Sequence, residues 1–190
     1  MADDTSLIAL YVRPLNALGF PYLVTGGVAA IVYGEPRFTR DIDLVIALRP
    51  EDAVAIAATW TADAFYVPPL ETLVTESRRA QHGHFNISHH DTGLRADCYV
   101  AGDDALHAWA FERPHLEQVG ADTIRLAPIE YVILRKLSNF QMGESDRHLA
   151  DVAMMVKTRG DLIDRSALTS WISRMGLEVE WNRACALTAR

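Results

Sequence analysis

The sequence is short of cysteine and of long apolar runs, and each shortage excludes a class of protein. Among 190 residues the cysteines are Cys98 and Cys185, which form no metal-spaced set. No apolar run approaches the roughly 20 residues that a membrane-spanning helix needs. The opening residues Met1-Ala2-Asp3-Asp4 are acidic where a secretory signal is basic. The sequence therefore predicts a soluble, cytoplasmic protein without a membrane segment.

An excess of positive charge is also absent. The chain has 25 Asp and Glu against 18 Lys and Arg, which gives a formal net charge of −7. Proteins that coat nucleic acid nonspecifically depend on many Lys and Arg contacts to phosphate, so this class is disfavoured. A local basic patch is still compatible with the sequence, and the basic residues from which it could form are Arg37, Arg40, Arg78, Arg79, Arg95, Arg135 and Lys136. We expect several of them to converge on a cleft the size of a nucleotide.

The order of strand and helix patterns predicts the fold class. Hydrophobic residues make up 49% of the chain and charged residues 23%, which is ample for the core of one ordinary domain. Strands and helices alternate up to about residue 127, and the remainder is helical. The predicted C-terminal helices are Pro128–Gln141, Asp146–Thr158, Ser166–Arg174 and Glu178–Leu187. We predict an α+β fold with a mixed-sheet core over residues 1–127 and a helical bundle packed on it over residues 128–190.

A pair of glycines separates a short apolar strand from a helix. The strand Tyr22–Val24 breaks at Gly26 and Gly27, and a helical run from Val28 to Tyr33 follows. Glycine permits unusual dihedral angles and the close approach of a ligand, and the free N–H groups at a helix N-terminus attract phosphate. The pair therefore predicts a phosphate-binding turn.

Two aspartates follow on the next strand. Successive side chains of a strand point to opposite faces, so Asp41 and Asp43 share one face while Ile42 and Leu44 pack on the other. Adjacent carboxylates share a proton, remain solvated or are neutralised by a cation, and such hard oxygen ligands suit Mg²⁺. The Asp-x-Asp pair therefore predicts a metal site.

A third aspartate lies on a predicted hairpin. The segments His84–Ser88 and Leu94–Val100 flank Asp91-Thr92-Gly93, a favourable turn sequence. We expect this hairpin to bring Asp97 beside Asp43, with Cys98 facing the opposite side as a buried apolar residue.

These motifs together resemble the nucleotidyltransferase superfamily that includes DNA polymerase beta. The resemblance is to its small bacterial branch of minimal nucleotidyltransferases and abortive-infection toxin-like proteins. That signature combines Gly-Gly or Gly-Ser, Asp-x-Asp and a third acidic strand residue. The matching residues are Gly26, Gly27, Asp41, Asp43 and Asp97, and the segments Arg37–Arg40 and Leu126–Leu137 extend the similarity over roughly residues 20 to 156.

The resemblance implies an enzyme that transfers a nucleoside monophosphate from an NTP to a hydroxyl acceptor. It assigns catalysis and the binding of two Mg²⁺ ions, or Mn²⁺ in their place, to Asp41, Asp43 and Asp97. It assigns nucleotide binding to Gly26, Gly27, Arg37, Thr39, Arg40 and Lys136. The first expectation for the acceptor is a tRNA 3′ end, with the protein as the toxin of a toxin–antitoxin pair and an antitoxin protein as its partner. The alternatives are a non-catalytic module that binds a nucleotide or a protein, and an enzyme that modifies a small-molecule antibiotic.

Other polar clusters have simpler explanations. The histidines His82, His84, His89 and His90 lack the spacing of zinc ligands and are expected to lie on a solvated hairpin. Arg147 and Asp151, four residues apart on one predicted helix, are expected to form a surface ion pair, although the resemblance places Asp151 towards the cleft.

Overall fold

The structure is a computed structural model that describes residues 6–34, 38–143 and 145–188. Within these ranges, every helix is too short or too polar to cross a bilayer. The described residues divide into two compact units, one formed by residues 6–25 and 39–126 and the other by residues 26–34, 38, 127–143 and 145–188.

The first unit contains one mixed sheet. Its strands within the described ranges are β1 Tyr22–Thr25, β2 Asp41–Ile46, β3 Phe65–Tyr66, β4 His84–His89, β5 Arg95–Val100, β6 His115–Val119 and β7 Asp122–Leu126. They are arranged in the order β3-β4-β5-β2-β1-β7-β6. β1 is antiparallel to β2 and parallel to β7, whereas β2 runs parallel to β5. The predicted α+β class with a mixed sheet is confirmed.

Short helices accompany this sheet. They are α1 Arg13–Leu18, α3 Ala53–Thr59, α4 Leu70–Ser77 and α5 Ala105–Phe111. One face of the sheet is apolar because alternate residues of its central strands, such as Leu44 and Cys98, turn away from the polar face. These side chains surround a small cavity together with Leu15, Ile56 and Trp60. The sheet's apolar face therefore forms the core of this unit.

The sequence predicts an amphipathic helix from Ser6 to Gly19, and the chain is helical without a break over residues 7–18, although not α-helical throughout. A π-helical turn spans Ile8–Val12, and α1 begins only at Arg13. Pro14 has no N–H, so the carbonyl of Leu10 lacks the donor that an α-helix would supply. The indole Nε1 of Trp60 donates to that carbonyl instead, at 2.8 Å.

The second unit is helical within its described residues. It consists of α2 Gly26–Tyr33, α6 Ile129–Gln141, α7 Arg147–Arg159, α8 Arg165–Met175 and α9 Glu178–Thr188. Helix α6 contacts each of the other helices, and eight of its thirteen residues are buried. The Tyr33 hydroxyl donates to the Ala127 carbonyl at 2.9 Å, which attaches α2 to the start of α6. α2 lies within the predicted domain of residues 1–127 but clusters with these C-terminal helices.

Candidate active site

The predicted carboxylates lie on two adjacent parallel strands. In the register between β2 and β5, Asp43 is paired with Asp97 and Asp41 with Arg95. The alternate residues Ile42 and Leu44 are buried in the core. The expectation that the β4–β5 hairpin brings Asp97 beside Asp43 is confirmed, and the three aspartates share the polar face of the sheet.

The carboxylates differ in their surroundings. The side chain of Asp41 is 47% exposed and that of Asp97 only 12%. Thr39 precedes β2 and donates its hydroxyl to Asp41 Oδ1 at 2.6 Å. This hydrogen bond fixes the orientation of the Asp41 carboxylate. Thr39 therefore orients Asp41, in addition to its predicted role in binding nucleotide.

An arginine lies among the three acids. The guanidinium of Arg95 donates from Nη2 and Nε to the same oxygen of Asp97, Oδ2, at 2.8 and 3.1 Å. Its Nη2 also lies 3.9 Å from Asp41 Oδ2. The positive charge of Arg95 therefore partly neutralises two carboxylates on neighbouring strands. The sequence alone predicted only that Arg95 belongs to a basic patch.

Two aromatic side chains border the acids on the same face. The Tyr99 hydroxyl donates to Asp43 Oδ1 at 3.4 Å, and His84 Nε2 lies 3.8 Å from Asp97 Oδ1. Their rings are paired across β4 and β5, with centroids 4.9 Å apart. Sequence reasoning missed both residues. Period-two alternation from Asp97 would have placed Tyr99 on the polar face, but the cross-strand register is needed to identify His84.

The Gly-Gly turn has the predicted strand and helix on either side. β1 ends at Thr25, which is paired with Asp43, and α2 begins at the next residue, Gly26. Gly26 has φ of +58°, a left-handed conformation that side chains with a Cβ rarely adopt. The backbone conformation therefore favours glycine at this position.

The other residues predicted to bind nucleotide do not all lie on the strands that carry the aspartates. Arg40 is exposed immediately before β2, and Arg37 lies outside the described residues. Lys136 belongs to the helical unit, where its side chain is 7% exposed and its Nζ donates to Asp151 Oδ2 at 2.7 Å. Its neighbour Arg135 stacks over the Tyr131 ring, 5.3 Å from the centroid. The nucleotide-binding roles of these residues stay predictions.

The three aspartates carry donor atoms that a metal could use, and Arg95 lies among them. Within residues 6–34, 38–143 and 145–188, no group of three or more His, Cys, Asp or Glu side chains is arranged to hold a metal ion. The three aspartates supply the hard oxygen donors that Mg²⁺ prefers. A guanidinium, itself a cation, contacts two of them. The carboxylate oxygens of the three aspartates therefore fit a divalent ion. The guanidinium of Arg95 lies where their negative charge favours a cation.

Neither the cysteine on β5 nor the histidines of the β4–β5 hairpin add a second site. Cys98 is buried, and burial together with the nearby charges of Asp97 and Asp43 raises the pKa of its thiol far above the usual range. A thiol that stays protonated is a poor nucleophile and metal ligand. His89 Nδ1 lies 2.9 Å from the Thr92 hydroxyl, and His90 Nε2 lies 3.3 Å from the Ala62 carbonyl.

Comparison with known proteins identifies the fold. No protein-family model matches the sequence, and no curated protein matches it significantly. The crystal structure of the aminoglycoside nucleotidyltransferase ANT(2″)-Ia in complex with adenylyl-2″-tobramycin is similar, with a TM-score of 0.60 and 16% identity over 89% of this chain and 97% of that chain. The solution structure of the antibiotic-resistance factor ANT(2″)-Ia has a TM-score of 0.52 and 14% identity over 90% of this chain and 93% of that chain. The protein therefore has the fold of the nucleotidyltransferase superfamily.

Proposed function

We propose that the protein is a metal-dependent enzyme that transfers a nucleoside monophosphate from an NTP to a hydroxyl of a small molecule. The observation that carries the proposal is the placement of Asp41, Asp43 and Asp97 on one face of two paired strands within the nucleotidyltransferase fold. The fold is shared with ANT(2″)-Ia, whose crystal structure holds an adenylylated tobramycin. This similarity favours a small-molecule acceptor over the tRNA 3′ end and the antitoxin-controlled role expected first.

The roles proposed for the aspartates are supported by their positions. Asp41 and Asp43 would hold divalent ions, with Asp97 as a further ligand, and these ions would neutralise the charge of the triphosphate and polarise the reacting phosphate. Asp97 is adjacent to Asp43 and would accept the proton of the acceptor hydroxyl. The acceptor oxygen then attacks the α-phosphorus, a new P–O bond forms, and the bond to the pyrophosphate leaving group breaks. Backbone N–H groups at Gly26 and Gly27 would bind the phosphates.

A non-catalytic nucleotide-binding protein is the second candidate. The contact between Arg95 and Asp97 favours it, because a carboxylate paired with a guanidinium at 2.8 Å is not free to act as a base or as a metal ligand. The two functions differ in whether this pair opens when metal and nucleotide bind.

Turnover by aspartate variants tests the proposal. Purified protein is incubated with ATP, Mg²⁺ and tobramycin or related aminoglycosides, and pyrophosphate release and the product mass are measured. We expect Asp43→Asn to reduce turnover by about a hundredfold or more, since a catalytic metal contributes several kcal/mol. The matched control is Asp91→Asn, which makes the same change at an exposed turn and should leave turnover unchanged.

Two other results would change the conclusion. Full metal-dependent turnover by folded Asp43→Asn would refute the assignment of that residue. Nucleotide binding by calorimetry without turnover of any acceptor, tRNA included, would favour the non-catalytic candidate.

A further inference from the structure

The position of Arg95 bears on how the acidic cluster takes up a metal. Arg95 comes two residues before Asp97 on β5, and the parallel register places it opposite Asp41 on β2. From this position one guanidinium contacts both carboxylates, at 2.8 Å to Asp97 and 3.9 Å to Asp41. The arrangement is built into the sheet, because the strand alternation and the register together place all three side chains on one face.

A divalent ion and this guanidinium compete for the same oxygens. The lone pairs of Asp97 Oδ2 that receive two N–H groups of Arg95 are those that a metal would use. Repulsion between a guanidinium and a divalent cation at the same carboxylates is strong at such short distances. The two cations therefore exclude one another from Asp97.

The exposure of each side chain shows which group can move. The Arg95 side chain is 46% exposed, whereas that of Asp97 is 12% exposed. Asp97 is also fixed in the central strand pair β2–β5, next to Asp43. A long, half-exposed arginine can rotate into solvent, and only its ion pair is lost.

We propose that Arg95 is the internal counter-ion of the acidic cluster, and that its guanidinium leaves Asp97 and Asp41 when a divalent metal binds. This inference rests on the proposed function, since it concerns the same three carboxylates. It makes Arg95 a positioning residue that lowers the affinity of the free protein for metal and keeps Asp97 paired until the metal arrives. Once released, the guanidinium is available to the phosphates of the nucleotide, for which its planar donors are suited.

The proposal predicts opposite effects of one substitution on metal affinity and on metal-free stability. Replacing Arg95 by methionine removes the competing cation, so Mn²⁺ should bind about tenfold more tightly, the scale expected for one unit charge beside a solvated site. The same substitution leaves Asp97 mostly buried without its cation, so the metal-free protein should melt at a lower temperature. Saturating Mn²⁺ should then raise the melting temperature more in the variant than in the wild type.

Free Mn²⁺ measured by electron paramagnetic resonance, without nucleotide, gives the affinities directly. The variants are Arg95→Met, Arg95→Gln and Arg95→Lys, with Arg113→Met as a matched control. Arg113 also contacts a carboxylate at 2.8 Å, but its partner Glu112 is 73% exposed. We expect the two neutral variants to bind Mn²⁺ more tightly, the lysine variant to lie between them and the wild type, and the control to match the wild type. Arg95→Gln carries the test if Arg95→Met does not fold.

The outcomes separate this inference from the proposed function. If the wild type binds Mn²⁺ and the folded neutral variants bind it equally or more weakly, the role of Arg95 is refuted and the metal-dependent function stands. If neither the wild type nor any variant binds Mn²⁺ at millimolar concentrations, the role of Arg95 is refuted, because no metal then displaces it from the free protein, and the turnover assay with ATP and Mg²⁺ still decides the proposed function. Equal gains in Arg95→Met and Arg113→Met would also refute the inference, because the effect would then reflect net charge alone.

Discussion

The ion pair between Lys136 and Asp151 allows a prediction about both stability and nucleotide binding. Lys136 lies on α6 and Asp151 on α7, and their side chains are 7% and 16% exposed. The two residues are fifteen positions apart in the sequence, and their contact of 2.7 Å joins the two helices. Removing one partner from a buried pair leaves an uncompensated charge, which typically costs about 3–5 kcal/mol.

We expect Asp151→Asn to reduce the free energy of unfolding by about 3 kcal/mol, the lower end of this range, because the carboxylate retains some contact with solvent. Lys136→Met should also be destabilising, because it removes the 2.7 Å contact between the two helices. The double variant Lys136→Met/Asp151→Leu should recover most of the loss, since apolar replacement of both partners of a buried pair is often neutral or stabilising.

Urea unfolding followed by circular dichroism and tryptophan fluorescence measures these free energies. The pair Arg113–Glu112 is the control, because its contact is of similar length but its side chains are 51% and 73% exposed. Arg113→Met should change stability by less than about 1 kcal/mol. A cost below about 1 kcal/mol for Asp151→Asn, or no recovery in the double variant, would refute the argument that burial makes this pair important.

The same variants test whether Lys136 binds nucleotide. If its ammonium also reaches the phosphates, Lys136→Met should weaken Mg-NTP binding by about 1.5–3 kcal/mol, the range for a hydrogen bond to a charged group. Arg135→Met should cost much less, because Arg135 stacks on Tyr131. Calorimetry with one nucleotide on folded protein distinguishes the cases. A loss of stability with unchanged nucleotide affinity would make Lys136 purely structural, and a larger loss of affinity for Arg135→Met would transfer the role to its neighbour.

Two further predictions concern the Gly-Gly turn and the core. Gly27→Val should weaken NTP binding, because a side chain would keep the phosphates from the backbone; unchanged affinity with a normal melting temperature would make the pair a structural turn only. Burial raises the pKa of Tyr11 to about 12, so the folded state favours its protonated form. The contribution of this group to the free energy of unfolding is therefore fully present below pH about 10 and should be lost as the pH rises towards 12. Tyr11→Phe should reduce this alkaline loss in urea unfolding, while the raised pKa values of Tyr22 and Cys98 leave part of it, at a cost near neutral pH of about 1 kcal/mol for the lost 2.6 Å bond to the Leu94 carbonyl; an unchanged pH profile would refute the assignment.

Local patterns in the sequence were sufficient to predict parts of the acidic cluster, although its assembly also needs the pairing of β2 with β5. Alternation along a strand places Asp41 and Asp43 on one face, and the turn at Asp91–Gly93 defines the hairpin that carries Asp97. Glycine preference predicted the break after β1, where Gly26 has φ of +58°. These features depend on residues close together in the chain, so short-range geometry determines them.

The counter-charges of the candidate site were decided by the tertiary structure. The sequence alone did not show that Arg95 lies opposite Asp41, because that depends on the parallel register of β2 and β5. It also suggested Arg147 as the partner of Asp151 from helical spacing, whereas Lys136 contacts Asp151 from another helix at 2.7 Å. Many cations are chemically equivalent partners for a carboxylate. Only the packing of distant strands and helices determines which of them comes within hydrogen-bonding distance.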